Sequence, residues 1–196
     1  AYPSLELFLR EDQTERLIDR LRAGAIDAAL MALPWDTGEL TVRELFNDEF
    51  WLVAREDDPI VSDDSVAVRG LDLSRLVLLE EGHCLRDHAI SVCGKRAIGM
   101  SPAIEATSLA TLIQMVDGGL GITLLPEMTL KSGILRGTKL IARPFSTQVP
   151  SRTIALVTRP TSAREDDFQR LADYIEDAVR DSARPRVASR NPARRA

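Results

Sequence analysis

The sequence predicts an α/β fold, and three observations carry that reading. Short apolar runs of strand length alternate with segments whose apolar residues recur at helical spacing. Of the 196 residues, 44% are hydrophobic and 28% charged, the balance of a globular chain with a core of its own. No internal repeat or low-complexity run breaks the pattern before the arginine-rich end.

Taken in order, Leu5–Leu9 reads as a strand, and Thr14 as the N-cap of a helix with Leu17, Ile18 and Leu21 on its apolar face. Gly24 suits the stop of that helix, and the nearly continuous apolar run Ile26–Leu33 reads as a buried strand. A helix between two strands is the unit that builds parallel sheets. After the break at Pro34–Gly38, Leu40–Leu45 and Phe50–Arg55 read as two strands, and Asp57-Asp58-Pro59 turns the chain. Arg75–Glu80 is a further strand, leading to Gly82-His83-Cys84, where a helix should begin. Ala103–Ala106 is a short strand. Ser108 then caps a helix carrying Leu109, Leu112, Ile113 and Val116, ended by Gly118-Gly119. Gly121–Leu125 reads as a strand closed by Pro126, and Arg152–Thr158 as the last strand. From Arg164 to Arg180, apolar positions 168, 171, 172, 175, 178 and 179 mark an amphipathic helix. The strand and helix that normally open such a unit are missing, which reads as a piece of a longer protein.

Charge and composition narrow the function. The net charge is −5, yet the last sixteen residues, 181–196, hold five arginines against one aspartate. That tail, with Pro185 and Pro192 and few large apolar residues, is expected to be disordered, either simply solvated or touching acidic surfaces. The body before it is therefore acidic and unsuited to gripping DNA, so any DNA contact belongs to another domain. Without a membrane-length apolar run or a signal peptide, a cytoplasmic address and no membrane partner are expected.

Two cysteines, nine positions apart, are too few for a secreted disulfide framework. In a reducing compartment they are a redox couple, metal ligands, or two small buried hydrophobes. Cys84, Cys93, His83 and His88 match no ordinary zinc spacing, so no metal and no other cofactor is expected. Cys84 falls where a helix begins, and the positive end of a helix favours a thiolate; Arg86 and His83 could add to that field. Peroxide reacts with thiolate to give a sulfenic acid, which makes Cys84 the better candidate for attack and Cys93 for resolution. Nine residues of helix turn about 900° and rise about 13 Å, whereas a disulfide needs Cα atoms within about 7 Å. A helical segment would therefore have to unwind, and Gly94 and Gly99 ease such remodelling.

The run Glu81-Gly-His-Cys-Leu-Arg-Asp87, with a second cysteine nine residues beyond its first, closely resembles the OxyR-type peroxide sensors of the LysR-type transcription regulators. Gln13-Thr14, Ala106-Thr-Ser-Leu109, Gly121-Ile-Thr-Leu-Leu-Pro126 and Arg152-Thr-Ile154 extend the resemblance from Leu5 to about Arg180. The cysteine motif is specific, whereas the Gly-Ile-Thr-Leu-Leu-Pro strand is common among LysR-type regulators. The resemblance implies two Rossmann-like subdomains, each like half of a periplasmic binding protein. They would comprise residues 1–47 with 154–180, and 48–153, with crossings near residues 47 and 153. It also implies a peroxidatic Cys84 joined to Cys93 in an intramolecular disulfide. The peroxide pocket would lie near Thr14, His83 and Cys84, with Arg152 and Asp87 tuning the thiolate, and Thr107 and Ser108 would face the effector cleft. Homodimers and homotetramers, promoter DNA and RNA polymerase follow as partners of the whole protein.

The sequence departs from the family's pattern. The winged helix-turn-helix and an upstream pocket threonine are absent, and Ala103 stands where the family often has a histidine. Plainer roles remain for several residues: Thr14 and Ser108 as helix caps, Arg152 as a surface charge, Trp35 and Trp51 as packing. Two functions compete with the peroxide switch. In one, a LysR-type effector domain holds a small organic anion at the helix start of Ser108, the cysteines being incidental. In the other, the chain is a thiol peroxidase, for which nothing in the sequence supplies the fold or the recycling.

Overall fold

One fifteen-residue strand organises the molecule. The computed structural model describes residues 6–94, 104–147, 149–160 and 164–183. The chain enters helix α1 (Thr14–Arg22), runs along β1 (Ala28–Leu33), and then commits to the long β2 (Thr41–Arg55). The first half of β2 pairs antiparallel with β7 (Ser151–Thr158), which also pairs antiparallel with β1. Its second half pairs antiparallel with β5 (Thr123–Pro126) and with β6 (Leu140–Pro144). The two halves serve two cores. Ile18, Leu21, Ala29, Met31 and Val157 form the first, and Phe50, Leu52, Ala54, Leu76, Leu78, Cys93, Ile122 and Leu124 belong to the second. A third cluster, including Val53, Val77, Leu79, Leu112, Val116 and Leu125, packs helix α3 (Leu109–Asp117) against the same sheet region.

The expected strands Leu40–Leu45 and Phe50–Arg55 are thus one element. The polar run between them looked like a break, but those residues have partners across the ladder: Asn47 faces Thr153, and Asp48 faces Arg152. An irregularity between Glu44 and Phe46 absorbs the change of register. The expectation of parallel pairing at the start is also corrected. The chain leaves along β2 and returns along β7, so β7 lies antiparallel between β1 and β2. Among the described residues, parallel strands occur where β3 (Val77–Leu79) meets β4 (Ile104–Ala106).

The expected first strand does not form either. Residues 6–13 have no regular structure, and Leu7, Phe8 and Leu9 are exposed. An apolar run becomes a strand only when a neighbour supplies ladder partners, and none of the described residues does so here.

Helix α1 is capped one residue earlier than expected. Gln13 is the extended N-cap and Thr14 is already helical and buried. Helix α2 (Cys84–Val92) follows β3, and the short α4 (Glu127–Lys131) follows β5. Helix α5 (Glu165–Ala183) runs three residues beyond the expected end, so residues 181–183 are helical; the remainder of the expected tail, from 184, lies outside the described residues. Its apolar stripe buries Ala172, and Arg43 of β2 fixes it by reaching Gln169, Asp173 and Glu176. That carboxylate pair, Asp173 foremost, holds the Arg43 guanidinium above its ordinary range. No helix among the described residues is long and apolar enough to cross a membrane.

Candidate functional site

Parallel β3 and β4 end side by side, Leu79 opposite Ala106, and each is followed by a helix. The N-termini of α2 and α3 therefore open at one edge of the sheet, where open α/β folds place their ligands. The turn into α2 depends on Gly82. Its φ of +92° is one that side chains rarely adopt, and an added Cβ would lie 2.9 Å from Nε2 of Gln13. The start of α1 is thus packed against the loop that delivers Cys84.

Cys84 is the first residue of α2, partly exposed, at the positive end of the helix. His83 is its N-cap in extended conformation, with no side-chain capping bond and Nε2 4.0 Å from Glu80. Cys93 is the C-cap of the same helix; it is 5% exposed within the second core, and its thiol faces the Ala89 carbonyl at 3.8 Å. The two sulfurs are not joined in a disulfide. They stand at opposite ends of a nine-residue helix, about 13 Å apart along its axis, so a disulfide requires unwinding.

Arg86 anchors this helix to the sheet edge. Its side chain is 8% exposed, donates to the Leu79 carbonyl at 3.0 Å and to the Glu105 carboxylate, and lies 3.9 Å from Glu81. His88, one turn beyond Cys84, is also buried. The Leu33 and Cys84 carbonyls lie against its ring, yet Nδ1 finds no aligned hydrogen bond. Burial, assisted by the nearby Arg152 guanidinium, holds His88 below its ordinary range and so neutral at pH 7.

Arg152 does not stand as a free surface charge. Its Nε and Nη2 donate to Oδ2 of Asp48 at 3.2 and 3.0 Å, and its guanidinium lies 5.9 Å from the Phe50 ring centroid. Asp48 is 2% exposed, and its other oxygen accepts from the Met128 backbone N–H at the start of α4. One buried carboxylate thus ties together β2, β7 and α4. Asp87 is exposed on the first turn of α2. Ser108 caps α3, accepting from the Thr111 N–H at 3.2 Å, with Thr107 exposed beside it. Trp35 packs against the first core; Trp51 is partly buried, with Nε1 unpartnered. Ala103 lies outside the described residues. No cluster of three or more His, Cys, Asp or Glu suited to a metal occurs among the described residues.

This geometry meets its match in known proteins. The family described as the LysR substrate binding domain matches residues 1–180. The chain belongs to the LysR substrate-binding domains. As a LysR domain it is 40% identical over 178 residues to a probable hydrogen peroxide-inducible genes activator of Mycobacterium avium, covering 90% of this chain and 57% of that protein. It is 38% identical over 174 residues to the HTH-type transcriptional regulator EstR of Acinetobacter baylyi, covering 89% of this chain and 58% of the other. The chain thus spans under two thirds of the length of these relatives. Among solved structures, the reduced regulatory domain of OxyR2 from Vibrio vulnificus superimposes with a TM-score of 0.81 at 35% identity, covering 90% and 83% of the two chains. The architecture of this LysR domain is accordingly the periplasmic-binding-protein-like one of two α/β subdomains, and its kin are OxyR-type regulatory domains.

Of the residues that sequence reasoning singled out, this LysR domain brings Cys84, His83 and the start of α1 to one edge, and sets Thr107 and Ser108 on the neighbouring helix start. Three others were missed as site residues: Asp48, His88 and Glu105. Asp48 sat in a polar run with no motif around it. His88 had been weighed only as a metal ligand, although its spacing of four from Cys84 placed it one turn along the helix.

Proposed function

We propose that this LysR-type regulatory domain is a peroxide-triggered thiol switch, with Cys84 peroxidatic and Cys93 resolving. The observation that carries the reading is α2 itself, which holds one partly exposed thiol at its start and one buried thiol at its end. The Cys84 thiolate attacks one peroxide oxygen, the O–O bond breaks, and hydroxide leaves to be protonated to water, giving a sulfenic acid. Once α2 unwinds, Cys93 sulfur attacks the sulfenic sulfur, the S–O bond breaks and a second water leaves. Two thiols lose two electrons to one peroxide per switching event, a stoichiometric act rather than turnover.

Around Cys84, Thr14, His83 and Arg152 bind and orient the peroxide. Asp87, exposed on the first turn, and the N-terminus of α3 with Thr107 and Ser108 border the same cleft. The subdomains comprise residues 1–47 with 154–180, and 48–153. The register supports this division, since Asn47 pairs with Thr153 and their side chains meet at 3.1 Å where the two strands cross. In the whole protein the switch acts in the cytoplasm on promoter DNA through an N-terminal winged helix-turn-helix. It reorganises a homodimer or homotetramer and changes RNA polymerase recruitment at oxidative-stress genes, as an activator.

Mass spectrometry after substoichiometric peroxide tests this. The expected result is a loss of two hydrogens and a Cys84–Cys93 crosslinked peptide. Cys84→Ser should abolish sulfenic acid trapping, while Cys93→Ser should keep trapping and lose the disulfide; equal loss of trapping in both sinks the assignment. A second reading, a small organic anion held at the capped start of α3, is favoured by Ser108 at that helix start. It wins if both thiols survive micromolar peroxide while a small carboxylate raises the melting temperature.

A further inference from the structure

Buried imidazoles normally have both ring nitrogens accounted for, because an orphaned polar atom costs about 1–3 kcal/mol. His88 breaks that expectation. It is 6% exposed and carries a buried Nδ1 without an aligned partner. The nearest carbonyl on its own helix, that of Cys84, is the natural acceptor of the His88 backbone N–H one turn on. The ring projects from the redox helix toward the far end of β1, against the Leu33 carbonyl, and toward Arg152 of β7. Arg152 cannot swing away, because Asp48 holds two of its nitrogens. The charged and titratable groups around the ring are therefore Arg152 from β7 with Asp48 of β2 behind it, and Asp87 and Cys84 on α2 itself.

We propose that His88 is a positioning residue of the switch. In the reduced protein its ring is buried where α2 meets β1 and β7, and it is released to solvent, free to take a proton, when the helix unwinds to join Cys84 to Cys93. This rests on the thiol-switch reading above. Unwinding must carry His88 out of its site, since it lies midway between the two cysteines that have to meet. In that place the ring is kept neutral by burial and by Arg152. Once freed, it regains ordinary imidazole behaviour, charging below a pH of about 6.5. The reduced form therefore keeps its full advantage above that pH and loses it as pH falls toward the lower value of the buried ring. Acid and peroxide then push the same helix in the same direction.

The chain has only two histidines, so the ring protons give two resolvable resonances, and His88→Gln identifies which is which. If that variant does not fold, His83→Gln makes the same assignment. In the reduced protein the His88 resonance should titrate below the ordinary imidazole range, and in the disulfide form within it. A second measurement equilibrates the protein with a dithiothreitol couple, using a small diselenide as exchange catalyst. Exchange moves two electrons between dithiols, and any proton taken up on account of the Cys84 thiolate is common to the parent and His88→Gln, so the difference between the two reports the ring. From pH 7.5 to 5.5, the equilibrium should shift toward the disulfide in the parent by at least threefold more than in His88→Gln. One proton sets the ceiling at about tenfold. Identical titration of His88 in the two forms, or a differential shift under threefold, overturns the proposal. If no Cys84–Cys93 disulfide forms at either pH, the switch reading itself fails and this inference falls with it; if the disulfide forms and the ring is indifferent, only the inference fails.

Discussion

At the scale of single residues, the site is held by groups whose removal should be felt far beyond their own contacts. Asp48 is the clearest: a buried carboxylate that satisfies a guanidinium and a helix-start N–H at once. Asp48→Ala leaves Arg152 without its carboxylate and the Met128 N–H without an acceptor. Urea unfolding should record a loss of about 3 kcal/mol, the scale for breaking a buried pair from one side; a loss below about 1 kcal/mol would mean that Arg152 finds another partner. Gly121 is a different case, because the constraint is backbone against backbone. A Cβ there would lie 2.1 Å from the Arg75 carbonyl, which accepts the Ile122 N–H at 2.9 Å. Gly121→Ala should cost at least about 3 kcal/mol, or leave no folded protein to purify. By contrast, Gly82→Ala meets only the movable amide of Gln13, so its cost should be near the 1 kcal/mol of the unfavourable backbone angle. Both glycines lie in motifs that the sequence singles out, but the contact that demands glycine at position 121 is long-range, and no local pattern spells it.

At the scale of elements, α2 is short and depends on its neighbours. It is nine residues long, too short to persist without tertiary contacts, and Arg86 is its hydrogen-bonded hold on the sheet edge. Glu105, the partner of that arginine, stands on β4 and is partly exposed. Glu105→Gln should loosen the helix by about 1 kcal/mol. If unwinding precedes the disulfide, the second step should then run about fivefold faster while sulfenic acid formation keeps its rate. Stopped-flow with a sulfenic acid probe separates the two, and an unchanged second step would place the hold elsewhere. The start of α2 is readable from Gly82 and the apolar strand before it. What was not readable was pairing. The stretch 46–49, with its polar Asn47, Asp48 and Glu49, separates two expected strands in the sequence because its partners are a hundred residues away on β7. Leu5–Leu9 looked like a strand because its apolar pattern is right, while strand formation needs a neighbour that pattern cannot supply. The strand β6 is not marked in the sequence because Leu140–Pro144 ends its short apolar run in an arginine and a proline.

At the scale of the whole molecule, the first and second cores lie along the crossing strands β2 and β7, and the helix α2 that carries both cysteines packs on the second. The first core, Ile18, Leu21, Ala29, Met31 and Val157, contains neither cysteine. Cys93, however, is a member of the second core, packed with Leu76, Leu78 and Ala89. Forming the disulfide must therefore extract Cys93 from that core, while nothing in the first core has to move. Hydrogen exchange measured by mass spectrometry on the reduced and peroxide-treated protein should resolve this asymmetry. Amides of 84–92 should lose protection on oxidation, because their N–H groups depend on the helix that the disulfide destroys. Amides of β1 and of the 153–158 part of β7 should keep theirs, because their ladder partners lie outside the remodelled region. A disulfide-bonded protein whose 84–92 amides remain protected would mean that the sulfurs meet without unwinding. Loss of protection in β1 together with α2 would mean that the His88 contact at Leu33 transmits the change across the crossing strands.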